Sequence, residues 1–395
     1  MKIAFITENL DVSFGGPSQT IPKLVYGLRN FTNNVEIFII KRKQSRLRNE
    51  LLKLFNLKYR IFNIDFEYKV DYSYLLKSSL TRFLESDEDA IVHVNNLWRW
   101  PPYKALKLAQ SMNRKSILSA RGMLLDAAMS KSRVFKFFAW NLIFKPLVNK
   151  TDCIHVTSVP EADALRSMGL TTPIAIIAHG IQEYESISNQ QKIAAKKSLK
   201  ISVERNYILF LSRITEHKGL HILIDAFSNV CDYLNDFDIL IAGDFSDALY
   251  KLKIENIIAE RNLVNRVKYL GEISGIDKAN AYKAATLFVL PSRSENFGVV
   301  IGEALSYGVP VITTHGTPWS VLSENKIGAW VRYNTEDIAE QIKYFCTLSY
   351  EEQEKMQLAI QNTIAEYSWD HSSQNMFELY KWVIRKSPTP IFVSL

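Results

Sequence analysis

Cysteine is scarce in this chain: Cys153, Cys231 and Cys346 are odd in number and widely spaced. That argues against a disulfide framework and a zinc site, and it fits a reducing compartment. Long apolar runs are lacking as well, and none approaches the roughly 20 residues needed to span a bilayer. The opening Met1-Lys-Ile-Ala-Phe-Ile-Thr7 is a short strand entering polar residues, without the apolar segment of a secretion signal. The expected location is the cytoplasm. There is no low-complexity tract, no G-x-S-x-G, no catalytic Cys/His arrangement and no spaced aspartates of a metal site. Gly15-Gly-Pro-Ser-Gln-Thr20 lacks the third glycine of G-x-G-x-x-G, and no acidic residue ends the second strand. A nicotinamide dehydrogenase is therefore disfavoured.

What is present suits two cores. A chain of 395 residues, 47% hydrophobic and 23% charged, exceeds one ordinary domain. Its charge is uneven: residues 1–200 carry 30 Lys/Arg against 17 Asp/Glu, and residues 201–395 carry 18 against 24. The first half is thus expected to meet something anionic. Strands are expected at Lys2 to Thr7, Val35 to Ile40, Ala90 to Val94 and Ser116 to Ser119, with a helix at about Pro17 to Arg29. The pattern restarts at Tyr207 to Ser212 and runs through Phe237 to Gly243, Val267 to Leu270, Leu287 to Leu290 and Val309 to Thr313, with helices between. Strands alternating with helices predict two mostly parallel sheets. Gln182 to Arg205 is polar and Lys-rich and reads as the connection. The amphipathic Tyr367 to Arg385 is expected to pack back on the first half.

The stretch Leu287-Phe-Val-Leu-Pro-Ser-Arg-Ser-Glu-Asn-Phe-Gly-Val-Val-Ile-Gly-Glu303 joins a buried strand, a polar loop and a helix start, with two carboxylates eight residues apart. Ligands of open α/β sheets sit beyond the carboxyl ends of strands, and helix N-termini attract phosphate. Glu295 is then expected beside phosphates. Glu303, about two turns further on, suits a pair of vicinal hydroxyls from a ribose or a hexose. Arg213 and Lys218, five apart after the first strand of the second half, are placed to neutralise a departing diphosphate, as a metal does elsewhere. Gly15 and Gly16 permit close backbone approach to a bound group.

These residues resemble the retaining glycosyltransferases of GT-B fold with the E-x7-E motif (family 4, group 1), in particular the branch assembling bacterial O-antigen and capsular polysaccharide. The likeness runs from Gly15-Gly16 through Ser119-Ala-Arg-Gly-Met-Leu124, Arg213 and Lys218, Glu295 to Glu303 and Gly308-Val-Pro-Val-Ile312 to Gly316-Thr-Pro-Trp319. It implies an α/β architecture of two Rossmann-like doubly wound domains facing across a cleft: 1–185 for the acceptor, 186–370 for the nucleotide sugar, and a helix at 371–395 crossing back to the first domain. It further implies that Glu295 holds hydroxyls of the donor sugar, and that Asn296 and the backbone N–H groups of Phe297, Gly298 and Val299 meet sugar and phosphate. Glu303 would take the ribose, and Arg213 and Lys218 the diphosphate of a UDP- or GDP-linked hexose. Attack on one face, with the leaving phosphate oxygen taking the acceptor's proton, needs neither a protein nucleophile nor a metal or other cofactor.

Where many relatives carry a histidine near the donor sugar, this chain has Arg121, and no catalytic histidine is assigned. His93 either faces the cleft or is a hydrogen-bonded core imidazole, His179 marks the domain junction, and Asp126 either meets the acceptor or lies on a surface helix. Lys41 to Arg60, with eight basic residues, and Lys131 to Lys150, with Phe135, Phe137, Phe138, Trp140 and Phe144, suit an anionic leaflet and a polyisoprenyl-diphosphate-linked glycan acceptor. For the second segment a core-facing helix with a basic outer face stays open. No pattern for nucleic acid is present. The expected activity is hexosyl transfer to a lipid-linked oligosaccharide at the inner face of the cytoplasmic membrane. The rivals are a sugar-nucleotide epimerase of similar architecture and a non-catalytic carbohydrate or nucleic-acid binder.

Overall fold

The structure, a computed structural model, describes the chain apart from residues 9, 12–15, 42–49, 65–72 and 125–132 and the side chains of 133–135. It divides into two compact units: Met1–Gly180 with Trp369–Leu395, and Ile181–Ser368.

The first unit holds an eight-stranded sheet of β1 (Ile3–Glu8), β2 (Val35–Lys41), β3 (Tyr59–Asn63), β4 (Ile91–Asn95), β5 (Lys115–Ser119), β6 (Cys153–Val156), β7 (Ile174–Ile176) and β14 (Val393–Ser394). Its order is β3-β2-β1-β4-β5-β6-β7-β14, and every neighbour pairs in parallel except β14 against β7. Successive side chains alternate between two cores, Ala4, Ile6, Val92 and Leu118 on one face and Ile3, Phe5, Ile91 and Ile117 on the other. Parallel strands buried on both faces read as unbroken apolar runs for this reason. The helix Trp369–Val383 sends Met376, Leu379, Tyr380 and Val383 into the second core. It lies tightly on the helix Gly16–Leu28: a Cβ on Gly27 would stand 2.1 Å from the Ser373 hydroxyl oxygen. The C-terminal helix therefore completes the first unit.

The second unit holds β8 (Asn206–Leu211), β9 (Phe237–Ala242), β10 (Val267–Tyr269), β11 (Leu287–Leu290), β12 (Val311–Thr314) and β13 (Gly328–Val331), all parallel, in the order β10-β9-β8-β11-β12-β13. Counted within the unit this is 3-2-1-4-5-6, and β3 to β6 of the first unit repeat it. Strand order reverses between β8 and β11, and ligands of such open sheets bind beyond the carboxyl ends of the strands at that reversal.

Two expectations change. Gln182 to Arg205 is not a plain connection. It contains the helix Asn189–Ser198, opened by a capping box in which Ser188 and Gln191 satisfy each other's backbone amides. Its polar composition hides it because Ala195 and Lys196 are its buried residues. In the second basic segment, the helix Arg133–Ala139 runs through a π-helical turn, Trp140–Phe144. Trp140 is buried, but Phe137, Phe138, Leu142 and Ile143 are 46–75% exposed, so this is not an ordinary core-facing helix. No helix among the described residues is long and apolar enough to cross a membrane.

Candidate active site

At the reversal point of the second sheet, two loops are stitched backbone to backbone. Beyond β8 the chain makes a short 3-10 turn, Glu216–Lys218, closed by Gly219 at φ +73°. A Cβ on Gly219 would stand 2.0 Å from the Pro291 carbonyl oxygen, so only glycine lets the loops after β8 and β11 touch. The Arg293 amide donates to the His217 carbonyl at 2.8 Å, as does the Ser292 hydroxyl at 3.3 Å. The outcome is an ion pair between Lys218 and Glu295, whose side chains are 22% and 13% exposed.

The far side of the Glu295 loop is held by the turn after β12. The Glu295 amide donates to the Gly316 carbonyl at 2.9 Å, and the Trp319 indole donates to the Phe297 carbonyl. Gly316 has no room for a side chain, since a Cβ would meet the Arg293 carbonyl oxygen at 2.2 Å. Gly298, at φ +78°, then caps the helix Val299–Ser306 with no side-chain hydrogen bond to its first amides. Phe297 is buried against Trp319, their ring centres 5.2 Å apart, while Asn296, Gly298 and Val299 are half-buried.

Glu303 projects from this helix to the helix Gly275–Ala284. Lys278 Nζ lies 2.6 Å from one carboxylate oxygen, and the Tyr282 hydroxyl donates to it at 2.8 Å. Tyr282 is buried, and burial followed by the neighbouring Glu303 pushes its phenol well above the usual range, so it remains a donor. Sequence reasoning missed both partners. A lysine and a tyrosine at i, i+4 carry no sign of the distant carboxylate they hold. Arg213 follows β8, is exposed, and pairs with no carboxylate among the described residues.

The first unit places different chemistry beyond β4 and β5. Arg121, at φ +51°, donates from Nε to Asn95 Oδ1 at 2.8 Å and from Nη1 to Thr20 Oγ1 at 3.2 Å and His179 Nε2 at 3.3 Å. Its buried Nη2 has no hydrogen-bond partner. Burial lowers the guanidinium to about 10, so it is still charged at neutral pH. A left-handed, non-glycine residue with a buried unmatched donor is a strained arrangement of the kind found at ligand sites. Because arginine only donates, His179 accepts and is neutral. Burial, then Arg121, holds its pKa well below the ordinary value.

His93 is a core imidazole and opens onto no surface. It is fully buried, with Nδ1 2.7 Å from the Tyr380 hydroxyl and Nε2 2.7 Å from Ser119 Oγ. Ser119 Oγ lies 2.6 Å from His155 Nδ1, and His155 Nε2 lies 2.9 Å from the Ile177 carbonyl. That carbonyl can only accept, which orients every proton in the chain when both imidazoles are neutral: Tyr380 to His93, His93 to Ser119, Ser119 to His155, His155 to Ile177. Burial keeps them neutral, lowering His93 well below the ordinary value and His155 to about 4. Gly16 opens the helix Gly16–Leu28, while Gly15 and Asp126 lie outside the described residues.

The sequence pattern of the family described as glycosyl transferases group 1 matches residues 191–363. The comparisons support a group 1 glycosyltransferase family. An uncharacterized glycosyltransferase of Methanocaldococcus jannaschii is 27% identical over 53% of this chain and 54% of its own. The lipopolysaccharide core biosynthesis mannosyltransferase LpsB of Rhizobium meliloti is 25% identical over 55% of this chain and 62% of its own. The chain thus spans little more than half the length of the curated relatives it matches. Among solved structures, Anabaena Alr3699/HepE in complex with UDP-glucose superposes with a TM-score of 0.74 over 97% of this chain and 100% of its own, at 19% identity. That likeness shows the fold, a two-domain GT-B arrangement with two parallel sheets. The group 1 match ends within the second unit and takes in Arg213, Lys218, Glu295 and Glu303.

Proposed function

We propose that the protein is a retaining hexosyltransferase that moves a sugar from a UDP- or GDP-linked donor to a polyisoprenyl-diphosphate-linked glycan in bacterial surface polysaccharide assembly, of O-antigen or capsule. The observation that carries this reading is the Lys218–Glu295 pair at the reversal point of the second sheet, with Glu303 on the helix that follows. In support, HepE was solved with UDP-glucose and LpsB acts in lipopolysaccharide core synthesis.

The donor diphosphate would draw the Lys218 ammonium from Glu295, leaving that carboxylate to accept hydrogen bonds from sugar hydroxyls. Arg213 and the uncapped amides at the start of the 299–306 helix meet the remaining phosphate charge. The bond from the anomeric carbon to the diphosphate breaks, the acceptor oxygen bonds to that carbon on the same face, and the acceptor's proton passes to the departing phosphate oxygen. Cationic side chains supply the charge stabilisation, so no metal or other cofactor is required.

The experiment is a radiolabelled nucleotide sugar incubated with lipid extract. Label should enter a lipid-extractable product. NMR of that product should give the donor's own anomeric configuration. Isomerised free nucleotide sugar would favour an epimerase, and inversion would overturn the mechanism. The exposed Phe137, Phe138, Leu142 and Ile143 beside Lys136 and Lys145 support peripheral binding to an anionic leaflet. Sedimentation with anionic liposomes should then be strong at low salt and lost at high salt.

A further inference from the structure

An apolar opening in the first unit lies apart from the residues discussed so far. The helices Tyr74–Glu85 and Trp100–Ser111 diverge around a cavity of about 280 Å³ floored by Leu76, Leu80, Pro101, Ala105 and Leu108. That is just below the roughly 300–1,000 Å³ typical of small-ligand sites. Its polar lining is one-sided in charge: among the described residues Lys77, Lys104 and Lys107 border it, and no carboxylate does. Lys104 is held 4.4 Å above the Trp100 ring and Lys107 6.0 Å above that of Tyr103, and neither forms an ion pair among the described residues.

A second observation points to a ligand. Ser73 lines the same cavity at the start of its helix, where a serine ordinarily caps the first amides. Here its side chain makes no capping bond. The residue is 5% exposed, and its hydroxyl oxygen is buried without any hydrogen-bond partner. A buried hydroxyl normally finds a partner, and leaving it unmatched is costly. An apolar floor, a cationic rim and one unmatched hydroxyl together describe a receptor for a molecule with one tail and one negative head.

We propose that this cavity binds a single-chain anionic amphiphile, with its tail between the two helices and its headgroup on Lys77, Lys104 and Lys107. The site lies on described residues of the first unit alone, and it does not rest on the transfer reading above.

The test uses the full chain and dodecyl phosphate below its micellar concentration, followed by calorimetry and by Trp100 fluorescence. Saturable binding of one molecule per chain is expected. Dodecyl maltoside, which has the same tail without charge, should bind at least tenfold more weakly, and inorganic phosphate should neither bind measurably nor compete. The triple variant Lys77→Gln/Lys104→Gln/Lys107→Gln changes exposed residues only, and it should weaken dodecyl phosphate at least tenfold. Ser111→Trp, also at an exposed position, should block the cavity and abolish the saturable phase. Circular dichroism and the thermal midpoint verify that both variants fold. Equal affinity for charged and neutral amphiphiles overturns the proposal, as does competition by inorganic phosphate alone. Undiminished binding by either folded variant overturns it too.

Discussion

The two units share the strand order 3-2-1-4-5-6 and use the region where it reverses in opposite ways. In the second unit that region carries charge within reach of solvent: Arg213, the Lys218–Glu295 pair and Glu303 with Lys278. Apart from the Glu8–Arg99 ion pair, the first unit hides its titratable groups there. His93, His155 and His179 are buried and neutral, and Arg121 is fixed by three hydrogen bonds. Overall charge runs the other way: the first unit has 29 Lys/Arg against 17 Asp/Glu, and the second has 19 against 24. Net charge therefore does not point to the donor site proposed above. The basic unit displays its excess over its surface, and the acidic unit concentrates a few cations at one crevice of its sheet.

The largest effect should come from breaking the charged centre of the second unit. Glu295→Ala should lower kcat/KM for transfer by about a hundredfold or more, since removing one electrostatic contact to a transition state typically costs that much. Retention of more than about a third of wild-type kcat/KM would remove Glu295 from the donor site. Lys218→Ala should cost about tenfold to a thousandfold and Arg213→Ala less within that range, because Arg213 is exposed. EDTA should change little. A strict need for added Mg²⁺ or Mn²⁺ would contradict the idea that these side chains do the work of a metal.

A matched substitution in the first unit sharpens the contrast. Arg121→Ala leaves Asn95, Thr20 and His179 without their shared donor, which should cost about 1–3 kcal/mol of stability. Denaturant unfolding measures it. Lys218→Ala should leave the unfolding midpoint nearly unchanged by comparison, and equal losses in the two variants would erase the distinction between the units.

How far the sequence discloses the molecule follows from the same contrast. Leu287–Leu290 and, after Asp238, Ile239–Ala242 are legible because strands covered on both faces are continuous apolar runs. β3 is missed because four of its five residues are exposed. Glu295, Glu303, Arg213 and Lys218 are legible through spacing along one strand, loop and helix. The chain of hydrogen bonds from Tyr380 to Ile177 is not, because His93 and Tyr380 are 287 positions apart and meet only when the last helix docks.

Acid should separate the units next. His155 titrates near 4 when folded and near 6.5 when unfolded, so the unfolded chain binds more protons between those values and stability falls as pH drops through that window. His155 alone accounts for about 3 kcal/mol once pH is below 4, and His93 acts in the same direction. Hydrogen-exchange protection factors at pH 7 and 4.5 should show β4, β5 and β6 weakening before β8, β9 and β11. Loss of protection first in the second unit would mean that the buried imidazoles do not set its acid sensitivity relative to the first.

The smallest effect tests the support behind Glu303. Tyr282→Phe deletes one hydrogen bond to that carboxylate and leaves Lys278 in place. A single hydrogen bond contributes about 0.5–1.5 kcal/mol net, so affinity should fall by about twofold to tenfold. If Glu303 holds the ribose, remote from the breaking bond, the loss belongs in KM for the donor, with kcat nearly constant. The affinity of the bare nucleoside diphosphate should drop by the same factor, because the ribose is present in it too. A fall in kcat at unchanged KM, or unchanged nucleotide affinity, would show instead that Glu303 touches the transferred sugar, and it would move the second carboxylate from binding to chemistry.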